Sequence, residues 1–448
     1  MAGHAATAAG VEIKGESGSW PSRLAGLFGD VRPSEGTTVL LMVGNLFLLL
    51  VAYYVIKTAR EPLILATGGA ELKAYAAAGQ ALTLMAFVPF YGWLASRVEP
   101  IRLITWILLF FAACLELFNL GLRLDVPNLG FVFYVFVGIY SLATVAQFWS
   151  FANDIYRLDV GERLFPIIAI GANAGSPVGA KLAGLLIRAG VTPANMLHAT
   201  AVMLLLHLAI YNLVLRHGNT GKSPVRDPLA GPGGFQLVFQ SRYLRLIAVL
   251  YILLNIVLSI GEYLISRSVL LAAATATAAD PRIHKAAFIG GFYADYFLWV
   301  DILALGLQAL LASRLIRHFG LGGVLFALPL FSLGAYGMAA VGVGFGLFRW
   351  AKTAENATNY SIMNTARQLL WLPARREEKY KAKQALDTFF VRFGDVLAAA
   401  LVFVCTTRLH WDVRGFSGLN IVLVLASIAV AVLVLRENRT LIQRKEVH

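Results

Sequence analysis

Tyr53, Lys57 and Arg60 are spaced by four and three residues, which stacks an aromatic ring and two cations on one helix face. They close an apolar run that begins near Leu40. A charged side chain at the centre of a bilayer costs at least ~3 kcal/mol on insertion scales, so it normally faces protein or water and marks a pathway. Snorkelling of Lys57 and Arg60 to the interface is the bland alternative, because they sit near the end of the run. A second polar stripe is formed by Arg349, Lys352, Glu355 and Asn359, which follow one another at i+3, i+3 and i+4. It reads as a cavity wall for an anionic solute, with a structural pairing of Lys352 with Glu355 as the alternative. Glu61, Glu262, Asp295, Asp301, Asp387 and Asp395 supply acids within apolar stretches, either to neutralise these bases or to carry a coupling proton. Asn153 and Asn364 occupy equivalent places in two similar segments and could orient a substrate or hold a gate.

These residues need a membrane scaffold to hold them. Of 448 residues 58% are hydrophobic and 14% charged, with a mean hydropathy of +0.70, whereas a soluble domain carries about 25% charged residues. Apolar runs approaching the ~20 residues of a membrane span recur along nearly the whole chain. Their centres fall near Leu49, Met85, Leu109, Gly138, Gly175, Leu205, Asn255, Asp301, Leu328, Thr353, Ala398 and Leu425, which predicts twelve transmembrane helices. The Gly, Pro and basic stretch from Arg216 to Gln240, with Lys222 and Arg226, reads as a linker between two halves. Leu94-Ala95-Ser96-Arg97 recurs as Leu311-Ala312-Ser313-Arg314, Ser150 and Asn153 as Ser361 and Asn364, and Arg60 as Arg267, all at offsets near half the chain. That pattern suits an internal repeat.

With both ends cytoplasmic, the tails and even-numbered loops carry more than twice the Lys and Arg of the odd-numbered loops, as the positive-inside rule requires. The first 36 residues, with Lys14, Arg23 and Arg32 among acids, lack a signal-peptide pattern. The excess of 38 Lys and Arg over 25 Asp and Glu is thus a topological signal and argues against a nucleic-acid polymer as partner. Cys114 and Cys405 lie inside apolar runs as small hydrophobic filler. Gly171, Gly175 and Gly179 recur every four residues, a row that permits close helix packing. No zinc spacing, Walker loop or nucleophile elbow is present in a workable context, so no metal, cofactor or enzymatic activity is expected.

Four segments resemble the ATP/ADP translocase family, the nucleotide transporters of plastids and obligate intracellular bacteria. They are Tyr54 to Glu71, with Lys57, Arg60, Glu61, Leu63 and Gly69-Ala70-Glu71; Phe148-Trp149-Ser150-Phe151-Ala152-Asn153 with Asp159, Arg163, Phe165-Pro166 and Gly171-Ala172-Asn173; Tyr360-Ser361, Arg367, Pro373, Lys379, Lys381, Lys383 and Asp387; and Glu262. The resemblance implies a major facilitator fold that exchanges or imports nucleotides, with Arg60 and Lys383 as substrate contacts. The chain departs from the family at Val137, where the family has a glutamate, and at Arg367-Gln368, where it has a lysine-glutamate pair. Those two lost acids shift the implied substrate from strict ATP for ADP exchange toward phosphorylated or carboxylated metabolites in general.

The expectation is therefore an all-α membrane protein, twelve transmembrane helices in two six-helix pseudo-symmetric halves. Residues 1–36 would be a cytoplasmic tail, 37–216 one bundle, 217–240 a linker, 241–436 the second bundle and 437–448 a second tail. Lys57, Arg60, Asn153, Arg349, Lys352, Asn364 and Lys383 would bind substrate, and Glu61, Glu262, Asp295, Glu355 and Asp387 would balance charge or couple. The expected function is secondary active transport of a nucleotide or other organic anion in a bacterial inner membrane, with protons as a candidate coupling ion. A proton-coupled carrier of a neutral or cationic solute and a non-transporting scaffold or sensor are the alternatives.

Overall fold

The structure, a computed structural model, describes residues 31–32, 35–156, 158–217, 233–375 and 377–446. Among them all regular structure is helical. The first half comprises α1 (Gly36–Ala95), α2 (Pro100–Arg123), α3 (Leu129–Ile155), α4 (Leu158–Arg188) and α5 (Pro193–His217). A short α6 (Gly234–Gln240) precedes α7 (Arg242–Ala279), α8 (Lys285–Leu307), α9 (Ser313–Ala340), α10 (Phe345–Thr358), α11 (Asn364–Leu369), α12 (Lys383–Ala385), α13 (Val391–Thr407) and α14 (Val413–Glu446). Wider π-helical turns at Gln308–Ala312, Asn359–Met363, Glu378–Ala382 and Leu386–Phe390 interrupt the second half. Eight helical stretches among the described residues are long and apolar enough to cross a membrane. Each of the twelve sequence centres lies inside a helix. Lys14, Arg23, Lys222 and Arg226, with most of the expected tail and linker, lie outside the described residues; 234–240 of the linker form α6, whose Phe235 ring meets Phe389 at 5.0 Å.

Gly69 sets the geometry of the first half. Its φ of 74° and ψ of −173° are open to glycine and strained for any residue with a Cβ. On a straight helix Glu61 and Lys73 would lie about 18 Å apart along the axis. Their charged groups are 2.7 Å apart, so α1 folds back on itself at Gly69 into limbs 36–68 and 70–95. Gly320, with φ 60°, interrupts α9 in the same way.

Three apolar cores hold the helices. One lies within the first half around Leu46, Phe133 and Leu204, and another within the second around Leu250, Leu328 and Ile362. The third joins the halves, packing Tyr54, Ile64 and Ala180 against Ile260, Phe292 and Phe297. The glycine row on α4 lets that helix meet the first limb of α1 backbone to backbone. A Cβ at Gly175 would lie 2.6 Å from the Phe47 carbonyl oxygen and one at Gly179 2.9 Å from that of Val51. Val137, where the resembling family has a glutamate, is fully buried in the apolar core.

Where these two helices begin, Arg163 donates to both Glu35 carboxylate oxygens, at 2.8 and 2.9 Å. Partial burial pushes the Glu35 carboxyl up, but the Arg163 hydrogen bonds and the Arg32 amide outweigh it and hold the group below its ordinary range. A depressed carboxylate contributes stability above its unfolded pKa and loses it as pH falls through the folded value. Glu35→Gln should therefore flatten the acid limb of thermal stability measured from neutral pH to about pH 3, leaving a smaller change between folded wild type and variant at the acid end. Gly175→Val should abolish recovery of monodisperse protein, whereas Gly44→Ala, where a Cβ meets nothing within 4 Å, should leave it unchanged on size-exclusion chromatography.

Candidate functional site

The buried charges of both halves converge beside the Gly69 turn. On the first limb of α1, Arg60 donates to the neighbouring Glu61 Oε1 through Nη2 at 2.8 Å and Nε at 3.2 Å, and its guanidinium lies 4.0 Å from the centre of the Tyr134 ring. On the second limb, Lys73 places its ammonium 2.7 Å from Glu61 Oε2 and donates across the seam to Ser266 Oγ at 3.0 Å and Tyr293 OH at 3.1 Å. Glu262 on α7 receives the same ammonium at 4.0 Å and that of Lys352 at 3.7 Å. Asn356 donates to Glu262 Oε1 at 2.8 Å.

Lys352 is wholly buried and committed to Glu355, at 2.6 Å, whose carboxylate also accepts from Ser332 and Tyr336. Three bases, Arg60, Lys73 and Lys352, thus face three acids, Glu61, Glu262 and Glu355. Five of the six are buried and Glu262 is half-buried; a buried ion would cost several kcal/mol alone, and mutual contact plus neutral hydroxyl and amide donors offsets that cost.

Lys57 stands apart. It is 9% exposed, with its ammonium 4.1 Å from the Phe297 ring centre and 4.5 Å from that of Tyr54. Among the described residues no carboxylate lies within 4.0 Å of it. The nearest acid it reaches is at second remove, through Tyr54, which donates to Asp301 Oδ1 at 3.0 Å. Cation–π contact supplies about 2 kcal/mol when desolvated, less than the several kcal/mol that burying an ammonium costs. Asp301 offsets the charge from beyond Tyr54, and the ammonium itself is left without a contacting carboxylate. Tyr54 and Asp301 also line a cavity of about 550 Å³ between the halves, with Asn173 and Ser176 on α4 and Gln308, Tyr360, Asn364 and Gln368 opposite.

Both Lys57 and Arg60 are enclosed because their helix continues to residue 68, so neither snorkels. Other expected site residues lie elsewhere. Arg349 leaves the polar stripe and sits over the Phe292 and Trp350 rings, at 5.1 and 5.6 Å. Asn153 is exposed and donates to the Trp149 carbonyl of its own helix, while Asn364 lines the cavity. Lys383 donates to Gln368 at the cavity rim, Asp387 is exposed, and Asp295 faces Arg188 across the seam at 3.8 Å. The site also includes residues that spacing does not single out: Lys73, Tyr134, Ser266, Tyr293, Tyr336 and Asn356. The described residues hold no cluster of three or more His, Cys, Asp and Glu arranged for a metal.

Polar contacts between the halves join residues 54–73 and 188 to residues 262–301. The cavity extends away from that seam, since Gln308 lies thirteen residues beyond Asp295, about 20 Å of helix.

This architecture is that of the major facilitator fold. Solved structures superpose on about nine-tenths of the chain. A nucleoside transporter, NupG, gives a TM-score of 0.65 at 14% identity over 88% of this chain and 98% of its own. A bacterial homologue of the human lysosomal transporter Spinster, inward-facing and unoccupied, gives 0.61 at 12% identity over 92% and 99%.

By sequence the chain is a distant homologue of chlamydial ADP,ATP carrier proteins. It is 24% identical to ADP,ATP carrier protein 1 of Chlamydia trachomatis over 322 residues, 61% of this chain and 59% of that protein. Its identity to the Chlamydia pneumoniae protein of the same name is 22% over 337 residues, 64% and 63%. The chain thus spans about three-fifths of the length of these relatives. No family model matches it.

Removing Lys73 leaves Glu61 buried with Arg60 as its one remaining cation and takes from Glu262 one of its two. Lys73→Met should lower unfolding free energy by about 3–5 kcal/mol, and Glu61→Gln added to it should cost less than the sum of the two single changes. A double-mutant cycle in denaturant, on detergent-solubilised protein, measures this coupling; strict additivity would contradict the pairing.

Proposed function

We propose that the chain is a secondary transporter that crosses a bacterial inner membrane twelve times, both termini cytoplasmic, and moves a nucleotide or other phosphorylated or carboxylated anion by alternating access. Twelve crossings follow if the limbs of α1 cross separately, the 285–340 stretch crosses twice about Gly320, and the more polar α4 and the 345–369 run each cross once. The two six-helix halves would rock about the seam at Lys73, opening the charged end as the cavity end closes.

The observation that carries the reading is Lys57, a buried ammonium with aromatic faces and no contacting carboxylate, beside a cavity wall. A phosphate or carboxylate entering the cavity would supply the missing contact through charge-assisted hydrogen bonds. The cavity's volume falls within the range of about 300–1,000 Å³ typical of small-molecule sites. Its amides and hydroxyls, Asn173, Ser176, Gln308, Tyr360 and Asn364, suit the polar remainder of such a solute. Lys383 at the rim would draw anions in. Homology to ADP,ATP carriers favours a nucleotide among anions.

Asp301 supports a second reading, in which the acid is primary and a proton drives a neutral or cationic solute. Its Oδ2 has no hydrogen-bond partner and the residue lines the same cavity. Counterflow into proteoliposomes distinguishes the two. On the anion reading, at least one nucleotide or organic phosphate is taken up, Lys57→Gln reduces uptake by about tenfold or more, and Lys57→Arg retains part of it. Absence of uptake for every nucleotide and organic phosphate would sink it, while uptake that follows the pH gradient, survives Lys57→Gln and is lost in Asp301→Asn would favour the proton-driven carrier.

A further inference from the structure

A cavity of about 190 Å³, separate from the one beside Tyr54, lies between the halves. Ala70, Ala74 and Ala77 on the second limb of α1 leave it room, and Glu262 of α7 with Arg392 and Asp395 of α13 line its other wall. Another of about 180 Å³ adjoins it farther from Gly69, where α1 contributes residues 84–91, between Ala143 and Ala146 of α3 and Asp387 and Arg392 of the second half. Arg392 lines both, so a solute moving along the seam from one to the other passes its guanidinium. This arginine is loosely held. Its Nη1 meets Asp395 Oδ2 at 3.4 Å, beyond the ~2.7–2.9 Å of a charge-assisted hydrogen bond, and its side chain is 31% exposed. Among the described residues its Nε and Nη2 make no hydrogen bond or ion pair. Asp395 does not depend on it, because Oδ1 accepts from Asn255 Nδ2 and Ser259 Oγ, both at 2.7 Å. The bare Gly394 lets α13 seat against α7 to make those bonds, since a Cβ there would lie 2.9 Å from that of Asn255. The neighbouring acids have cations of their own: Lys73 and Lys352 stand beside Glu262, and Asp387 lies in the field of Lys383 and Arg367.

We propose that Arg392 is a second anion-binding residue of the transport path, taking a phosphate or carboxylate group of the solute, and that Asp395 is its internal competitor. This role rests on the anion reading of the central cavity. With no solute present the guanidinium rests against Asp395, and the two charges offset each other. An arriving anion meets the Nε and Nη2 donors, whose side-by-side geometry matches two phosphate or carboxylate oxygens. It can hold them without stranding Asp395, because Asn255 and Ser259 keep that carboxylate bonded. A pair serving only to brace the fold would be short, buried and shared between elements. This one is long and part-exposed, and it joins residues three apart on one helix. The role also differs from that of Lys57. Lys57 gains a carboxylate or phosphate contact when an anion binds, whereas Arg392 exchanges one for another. Binding at Arg392 is therefore the weaker, as suits a place that a solute must leave.

The test is counterflow into proteoliposomes of the full chain with a nucleotide or organic phosphate that the wild type takes up, paired with thermal unfolding in neutral detergent under added inorganic pyrophosphate. Arg392→Gln should raise the half-saturating concentration by about tenfold or more, the effect of one lost charge-assisted contact, with Arg392→Lys between it and the wild type. Asp395→Asn keeps the oxygen that Asn255 and Ser259 bond and frees the guanidinium. It should lower the half-saturating concentration by about threefold, the worth of a part-exposed ion pair. Arg392→Gln combined with Asp395→Asn should stay as weak as Arg392→Gln, although the pair's net charge is then that of the wild type. Pyrophosphate should raise the unfolding temperature more in Asp395→Asn than in the wild type, and less in Arg392→Gln. Changes of the same sign in the two single variants, wild-type affinity in Arg392→Gln, or wild-type affinity in the double variant would each overturn this role while leaving the anion reading intact. A wild type that takes up no nucleotide or organic phosphate would overturn both.

Discussion

An ionised group at membrane depth must be compensated within contact distance, and the contact that satisfies this for the whole bundle is Lys73 against Glu61. Glu61 lies between two cations, Arg60 from its own limb and Lys73 from the next. Without Lys73 the Gly69 turn would bring an apolar limb against a half-paired carboxylate. With it, the turn, the two limbs and the seam to α7 and α8 become one cooperative unit, because the same ammonium also donates to Ser266 and Tyr293. The aromatic content of the seam follows from the same need. Tyr134, Tyr293, Tyr296 and Tyr336 offer ring faces or hydroxyls to buried ions while presenting apolar bodies to the surrounding core.

Part of this was legible in the sequence because it is local. Spacing of four and three residues places Tyr53, Lys57 and Arg60 on one helix face, and i+3 spacing brings Lys352 within reach of Glu355. The glycine row at four-residue intervals announces close packing, and the backbone of α1 does lie against it. Apolar run length locates the helices because each must be about as long as the bilayer is thick. What periodicity cannot provide is the partner on another element. Lys73 follows a Gly-Gly-Ala-Glu run that reads as a loop, so its burial becomes visible only when Gly69 is seen to reverse a helix. Arg349 shares the stripe's spacing with Lys352, yet its guanidinium settles on Phe292 of α8, a ring unrelated to it in sequence. Ser266 and Asn356 are unremarkable in an apolar helix until the opposing charge fixes their role.

The balance of charges also constrains motion. Three bases facing three acids form a set that is neutral as a whole, so it can pass from a packed to a wetted state without leaving net charge in hydrocarbon. The division of that set matters. Lys352 and Glu355 sit on one helix three residues apart and travel together, whereas Lys73 joins elements from both halves. Separating the halves would therefore break the Lys73 contacts to α7 and α8 and spare both the Lys352 pair and the Lys73–Glu61 pair. At the charged cluster, opening breaks the Lys73 hydrogen bonds to Ser266 and Tyr293 and its long contact to Glu262 at 4.0 Å; elsewhere on the seam the Arg188–Asp295 pair at 3.8 Å and the hydrogen bonds to Glu71 and Asp301 part as well. A seam built instead on a short cross-half ion pair would be far harder to part.

Lys57 explains why neutrality of the six-charge set does not make the site indifferent to a ligand. On the transport reading, an anion beside Lys57 relieves a cation held by ring faces alone, and it does so next to Tyr54, whose hydroxyl is bonded to Asp301 of the opposite half. Ligand binding and closure of the halves then act on the same few atoms. An anion that drew Lys57 from the Tyr54 and Phe297 rings would loosen an aromatic contact between the halves, since those two rings meet edge to face at 6.3 Å. A ligand can shift such an equilibrium only by the difference in its affinity for the two states. Here that difference has a physical source: in the state with Lys57 enclosed by rings the ammonium lacks an acceptor, and in a state where the cavity reaches it the anion provides one.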